Sequence, residues 1–294
     1  MAELAEAAAD HYALNYSRHP VPVLFREVHA TRALLTEVLA PGGASADLQR
    51  QVGRLSALLG NLAFHLEDFS GARTHLATAA AYADRCGDAA LAAWTYGALS
   101  MVTRSTGNLP AALTYAERGA AAPRGLVRAQ LHAWALLPTL ALQGLDREAT
   151  SALEEGLTEL EADPVGEAPD RFGFDAAELA LHQAEAHLAL GRTAQARSRA
   201  ESSAATCTTG TPGWAAATFV LAQAEASAQP SDAAQRGMDV LDRIPPSRLR
   251  STARTRLKRL DSLLADCPAD SVSDLRERLN TLPPPVDAHG AASA

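Results

Sequence analysis

Apolar residues recur every three or four positions in blocks of ten to twenty, and short polar turns cut the blocks apart. A helix with one apolar stripe must bury it against a neighbour. The clearest block runs Leu59-Gly60-Asn61-Leu62-Ala63-Phe64-His65-Leu66, breaks at Glu67-Asp68 and resumes at Phe69-Ser70-Gly71-Ala72. The break returns at Gly107-Asn108, with Ala112 five residues on, at Gly144 with Ala149, and at Gly191 with Ala196. A degenerate copy sits at Gln229-Pro230, with Ala234 five on. The turns are 40, 37, 47 and 38 residues apart. Periods of this size describe stacked helical hairpins, none of which can bury its apolar face alone.

The pattern predicts a helical segment over 2–16, a break at His19-Pro20-Val21-Pro22, and a helix from Val23 to Leu39 stopped by Pro41-Gly42-Gly43. Five hairpins follow. Asp47–Leu66 pairs with Ser70–Arg85, Asp88–Ser105 with Pro110–Ala120, and Leu126–Leu142 with Arg147–Glu161. Asp175–Leu190 pairs with Thr193–Thr206, and Trp214–Ala228 with Ser231–Arg243. Residues 163–170, acidic and with two prolines, read as a loop and account for the 47-residue interval. Pro245-Pro246 breaks the chain again before closing helices at Ser247–Leu264 and Val272–Leu279. The expected organisation is N-terminal helices packing on or capping the array over 1–46, hairpins over 47–244, capping helices over 245–282, and a disordered tail over 283–294.

Composition sharpens this picture. Of 294 residues, 47% are hydrophobic, dominated by alanine and leucine, which favours helix over strand and one solenoid body over two globules. A net charge of −8 lacks the basic footprint of a nucleic-acid binder, and the basic run Arg248–Arg259 is only local. Cys86, Cys207 and Cys267 are too few and too scattered for a disulfide framework or a metal cluster. No signal peptide and no apolar run of membrane-spanning length is visible. A cytoplasmic protein that meets neither membrane nor nucleic acid is the expectation.

The turn pattern resembles the tetratricopeptide repeat, carried by Gly60, Asp68, Phe69 and Ala72, again by Gly107, Asn108, Leu109 and Ala112, and less completely by Gly191 with Ala196. The resemblance implies an all-α, right-handed superhelical solenoid whose first helices line a concave binding face. Residues 11–265 also resemble the helical-repeat regions that follow a DNA-binding helix-turn-helix in actinobacterial regulators. Arg171-Phe172-Gly173-Phe174-Asp175, with Leu181-His182 and Leu188-Ala189-Leu190-Gly191, carries that likeness, and no reader domain is seen before Asp10.

Counting back from each turn to the inner-face positions of the repeat nominates a groove. Its residues are Arg54, Asn61, Phe64, His65, Trp94, Met101, Arg104, Leu131, Trp134, Glu178, Leu181, Glu185, Phe219 and Gln223. Two of the three tryptophans and two of the six phenylalanines fall on these helices' inner positions, so large contact area gathers where a ligand would lie. Arg54 and Arg104 suit a carboxylate or phosphate, and Glu178 and Glu185 an amine or guanidinium. The opposing reading is that the aromatics pack between hairpins. Pro138, inside a helix beside Trp134, removes a backbone donor and can shape a pocket.

Glu178, His182 and Glu185 share one helix stripe and form a weak candidate metal site, with His182 conceivable as a general base; a solvated Glu–His face explains them as well. No phosphate loop, nucleophile elbow, His-x-x-x-His or Cys-x-x-Cys is present. No catalytic residue can be nominated, and no cofactor or resident metal is expected. The sequence thus favours a scaffold or stand-alone regulatory sensor whose groove holds a peptide or partner-protein segment. The alternative is a small-molecule binder or atypical enzyme of actinobacterial secondary metabolism with a closed pocket. Self-association into a homodimer stays open.

Overall fold

The computed structural model describes residues 1–39, 45–162 and 171–284. All regular elements among them are helical. The stop at Pro41-Gly42-Gly43, the loop at 163–170 and the expected tail from residue 285 on lie outside the described residues. Two compact units divide the chain, the first running Met1–Asp175 and the second beginning at Ala176.

The first unit opens with α1 (Ala2–Leu14) and α2 (Val21–Leu39), both packed on α3. Helix α2 begins two residues earlier than expected, because proline is tolerated in a first helical turn, where its missing N–H has no partner to lose. Three hairpins follow in sequence: α3 (Ala46–His65) with α4 (Phe69–Cys86), α5 (Ala89–Ser105) with α6 (Leu109–Ala120), and a third whose first arm is composite. That arm is α7 (Leu126–Leu131), a π turn (His132–Leu136) and α8 (Leu137–Leu142), and it packs on α9 (Asp146–Ala162). The second unit pairs α10 (Ala176–Ala189) with α11 (Thr193–Thr206) and α12 (Pro212–Glu225) with α13 (Pro230–Arg243). Helix α14 (Ser251–Leu263) then packs on α12, and α15 (Asp270–Asn280) on α13.

The repeated turn has a common geometry. Glu67, Gly107, Gly144 and Gly191 all adopt left-handed backbone, with φ of 60°, 85°, 72° and 73°. The conformation reverses the chain tightly and suits glycine, which has no Cβ to clash. The residue that follows starts the next helix: the side chains of Asp68 and Asn108 accept from the N–H of Gly71 (2.8 Å) and Ala111 (3.2 Å). The alanine five positions after each turn is where the hairpin closes. Ala72, Ala112, Ala149, Ala196 and Ala234 are all at most 1% exposed, so a larger side chain there would force the two arms apart. Gly60 does the same for the opposite arm, since a Cβ on it would meet Leu76 Cγ at 2.5 Å.

The irregular third arm follows from Pro138. Without its N–H the ladder cannot continue, and the Leu137 N–H reaches back five residues to His132 O. Beside the widened turn the Ala135 carbonyl accepts from Thr139 Oγ1 (2.6 Å) and Arg104 (3.2 Å).

Between α2 and α4, Arg32 contacts His75 Nδ1 at 3.3 Å, and Phe25 meets the His75 ring edge-on. Desolvation first, then the Arg32 charge and His29, push the His75 pKa down to about 4, while Asp68 opposes them. His75 is therefore neutral in the fold and protonated in the unfolded chain below the usual histidine range, so the unfolded chain binds the extra proton. Stability of the first unit should fall as pH drops from about 6.5 toward 4. Urea midpoints measured across that range should slope downward, and His75→Gln should flatten the slope; an unchanged slope would contradict the assignment.

Glu67 is the one non-glycine residue with positive φ among the described residues, and it occupies the position glycine holds in three later turns. Glu67→Gly should raise stability by about 0.5–1 kcal/mol by relieving left-handed strain, whereas Gly107→Ala should lower it by about 1–2 kcal/mol. Denaturant unfolding of the two variants checks both signs.

Candidate functional site

The inner arms of the first unit's hairpins are α3, α5 and α7, and they converge on a four-residue stretch of the chain itself. Arg171–Phe174 follows α9 in sequence and lies against these arms. The Arg171 guanidinium carbon sits 5.1 Å from the ring centroid of Trp94, 5.0 Å from Trp134 and 5.6 Å from Tyr16. Its Nε donates to Asn61 Oδ1 at 3.3 Å, and its backbone N–H donates to Ala13 O at 3.2 Å. Among the described residues no carboxylate pairs with it, so its charge is met by aromatic faces. Phe172 meets Trp94 edge-on at 4.9 Å, and Arg54 stacks over its other side at 5.2 Å. Gln130 Nε2 donates to the Gly173 carbonyl at 2.9 Å, and Phe174 is buried.

Two links, one from α1 and one from the turn after it, frame this arrangement. Asp10 bridges Arg54 at 2.8 Å, and the Tyr16 hydroxyl donates to Asn61 Oδ1. Arg54 is thereby aimed by a carboxylate on one side and rests on Phe172 on the other. A polar cleft of about 380 Å³ opens beyond Arg54, and its lining carries Glu3, Glu6, Asp47 and Asp88.

The resident stretch does not satisfy the groove. Asn61 Nδ2, Trp94 Nε1 and Gln130 Oε1 are buried and make no hydrogen bond to any described residue, although the opposite atom of each amide contacts the stretch. Asn61, Trp94 and Gln130 are only 1%, 1% and 2% exposed. Buried polar atoms of this kind are ordinarily paired, because leaving one unpaired costs about 1–3 kcal/mol.

The sequence-nominated residues divide between the two units. Arg54, Asn61, Trp94 and Trp134 come together around Arg171 and Phe172. Phe64, Met101 and Leu131 are buried in the hydrophobic core instead. Leu131 packs where Gly97 leaves room, and its neighbour Gln130 faces the stretch, so the inner-face count is one residue off in that arm. His65 is half-buried against the Phe64 and Tyr16 rings. Arg104, expected to point into a concavity, is turned onto Ala135 O and Thr139 Oγ1 (2.8 Å) by the π turn.

In the second unit, Arg256 of α14 bridges Glu185 at 2.6 Å, and Gln223 donates to the Arg256 carbonyl at 2.8 Å. Burial alone would raise the Glu185 carboxyl, but the Arg256 guanidinium and the His182 ring, 3.2 Å away, outweigh it and hold it well below the usual carboxylate range. Glu178 is half-buried on the same helix, Leu181 packs in the α10–α12 core, and Phe219 is fully buried under α14. Glu185 is committed to Arg256 and His182, and among the described residues no group of three His, Cys, Asp or Glu is placed to hold a metal.

Phe64, Trp94, Met101, Trp134 and Phe219, nominated to line the groove, are each at most 8% exposed. The reason is an added layer in each unit, α1 and the Arg171–Phe174 stretch in the first and α14 in the second. Tyr16, Gln130, Arg171, Phe172 and Arg256 were missed as site residues. The readable signal was an Arg-Phe-Gly-Phe run placed just before a helix, where two aromatic side chains need a core to enter.

No protein-family model matches the chain, and no curated protein matches it either. In solved structures the fold is shared. A Rap protein complexed with competence and sporulation factor superposes with a TM-score of 0.52 at 15% identity, over 96% of this chain and 93% of that one. BtubC from P. vanneervenii gives 0.49 at 12% identity, covering 90% and 94%, and the Cut9 and Hcn1 hetero-tetramer of the APC/C gives 0.47 at 14%, covering 95% and 46%. The chain has an all-α, tetratricopeptide-like helical-repeat fold.

Since Trp94 is core and lid-covered, Trp94→Ala should cost about 3–5 kcal/mol of stability, as much as Leu59→Ala at about 2–5 kcal/mol. Arg171→Ala, which removes a stacked cation and one hydrogen bond, should cost only about 1–2 kcal/mol. Urea unfolding of the three variants orders them; a Trp94→Ala midpoint near the parent's would mean that the ring is not packed as described.

Proposed function

We propose that the first unit is a scaffold that holds an extended peptide or partner-protein segment along the inner faces of α3, α5 and α7. One observation carries this reading: a stretch of the chain's own backbone already lies there, gripped through both main chain and side chains. Gln130 reaches the Gly173 carbonyl, Asn61 holds the Arg171 guanidinium, and Trp94, Trp134 and Tyr16 supply flat faces. Side-chain amides that read a peptide bond, set among aromatic walls, serve any extended chain, which is how grooves of this kind gain affinity with modest specificity. A Rap protein of the same fold is complexed with competence and sporulation factor, and binding of a partner is the role carried over here. The resemblance of the sequence to regulator repeat regions fits a regulatory sensor whose bound segment is the signal.

Random hexapeptides displayed against the whole chain provide the test. Selected peptides bearing a photo-crosslinking benzoylphenylalanine should label α3, α5 and α7, for instance near His65 and Trp134. Labelling confined to α4, α6 and α9, or to the second unit, would contradict the proposed groove.

A further inference from the structure

We infer that Arg171–Phe172 is a built-in competitor for the groove of the first unit, and that the ligand which displaces it is a peptide carrying an arginine followed by an aromatic residue. This rests on the groove reading above and deepens it by naming the ligand's chemistry and its regulation.

Three observations support it together. The resident stretch shows what the groove selects. Three aromatic faces surround one guanidinium with no carboxylate among the described residues to hold it, an arrangement that favours arginine, whose planar cation stacks on rings, over lysine. The adjoining position is a slot between Trp94 and Arg54 that takes a ring. An Arg–aromatic pair is therefore the minimal occupant.

The fit of that occupant is incomplete. Trp94 Nε1 and Asn61 Nδ2 are buried donors without an acceptor, and Gln130 Oε1 is a buried acceptor without a donor. An extended peptide offers carbonyls to the first two and an N–H to the third. A ligand that pairs them recovers free energy that the resident stretch leaves unclaimed, so it can win the exchange while burying a similar surface. Arg171 and Phe172 are half-buried, and no helix contains them.

Charge points the same way. In the cleft beside Arg54, Arg50 pairs with Asp47 and Asp88, and Glu3 and Glu6 add two further carboxylates to the lining. A peptide running on past the aromatic slot meets an acidic surface, which favours cationic over acidic sequences.

The probe is the acetylated, amidated hexapeptide Arg-Phe-Gly-Phe-Asp-Ala, which copies residues 171–176. Its binding to the full chain is read by quenching of tryptophan fluorescence, with circular dichroism to confirm that each variant is folded. Arg171→Ala/Phe172→Ala should bind it at least tenfold more tightly than the parent does. Replacing the peptide's arginine with citrulline, or its first phenylalanine with alanine, should weaken binding to that variant at least tenfold. If the double variant does not fold, Arg171→Lys, which keeps the charge and loses the planar stack, should show a smaller gain over the parent in the same titration. Equal affinity of parent and opened chain would overturn the built-in competitor. A citrulline peptide that binds as well as the arginine peptide would overturn the ligand class. Random hexapeptides tested on the opened chain separate the two levels. If they bind without regard to an Arg–aromatic pair, only this inference fails; if no hexapeptide binds, the groove reading fails with it.

Discussion

One guanidinium organises the inner face of the first unit. Arg171 brings together Tyr16 from the N-terminal segment, Asn61 from α3, Trp94 from α5 and Trp134 from the π turn, four residues from four separate parts of the chain. A cation held against rings away from bulk water contributes up to about 2 kcal/mol, more than an exposed surface contact of the same kind. It does so without a buried carboxylate, whose desolvation would have to be offset in turn. The geometry depends on features upstream: left-handed turns that set hairpin spacing, alanines that let the arms close, and Pro138, whose π turn lies where Trp134 does.

The second unit uses a different bond for a comparable task. Arg256 reaches from α14 to Glu185 on α10, and Gln223 on α12 holds the Arg256 carbonyl. Three helices are thus tied at one residue, through its side chain and its carbonyl, and Phe219 is fully buried. A carboxylate held by a guanidinium and an imidazole is a structural tie first, which is why the acid–histidine stripe that drew notice in the sequence serves packing.

The helices and turns were legible because they follow from local rules. Period, caps and left-handed glycines repeat, so a hairpin can be read from its own residues, and Gly107, Gly144 and Gly191 mark turns the structure contains. The inner positions at Arg54, Asn61, Trp94 and Trp134 were also legible, since helix spacing fixes which residues share a face. What covers that face was not. Tyr16 and Arg171 are far from their partners in sequence: Arg171 is 110 residues from Asn61, and no periodicity encodes such a contact. Exposure was misjudged for the same reason, because a repeat pattern shows which way a side chain points and says nothing of what is laid over it. The one-residue error that chose Leu131 over Gln130 comes from an arm whose turn count the π turn alters.

Arg171 occupies the aromatic groove of the folded protein. Its Nε–H resonance, followed by heteronuclear NMR on arginine-labelled full-length chain, tests this directly. Ring currents from Trp94 and Trp134 should move that resonance well upfield of an exposed arginine, and Trp134→Leu should return it part of the way. A resonance at the position of a solvated arginine, unchanged by that substitution, would contradict the central claim.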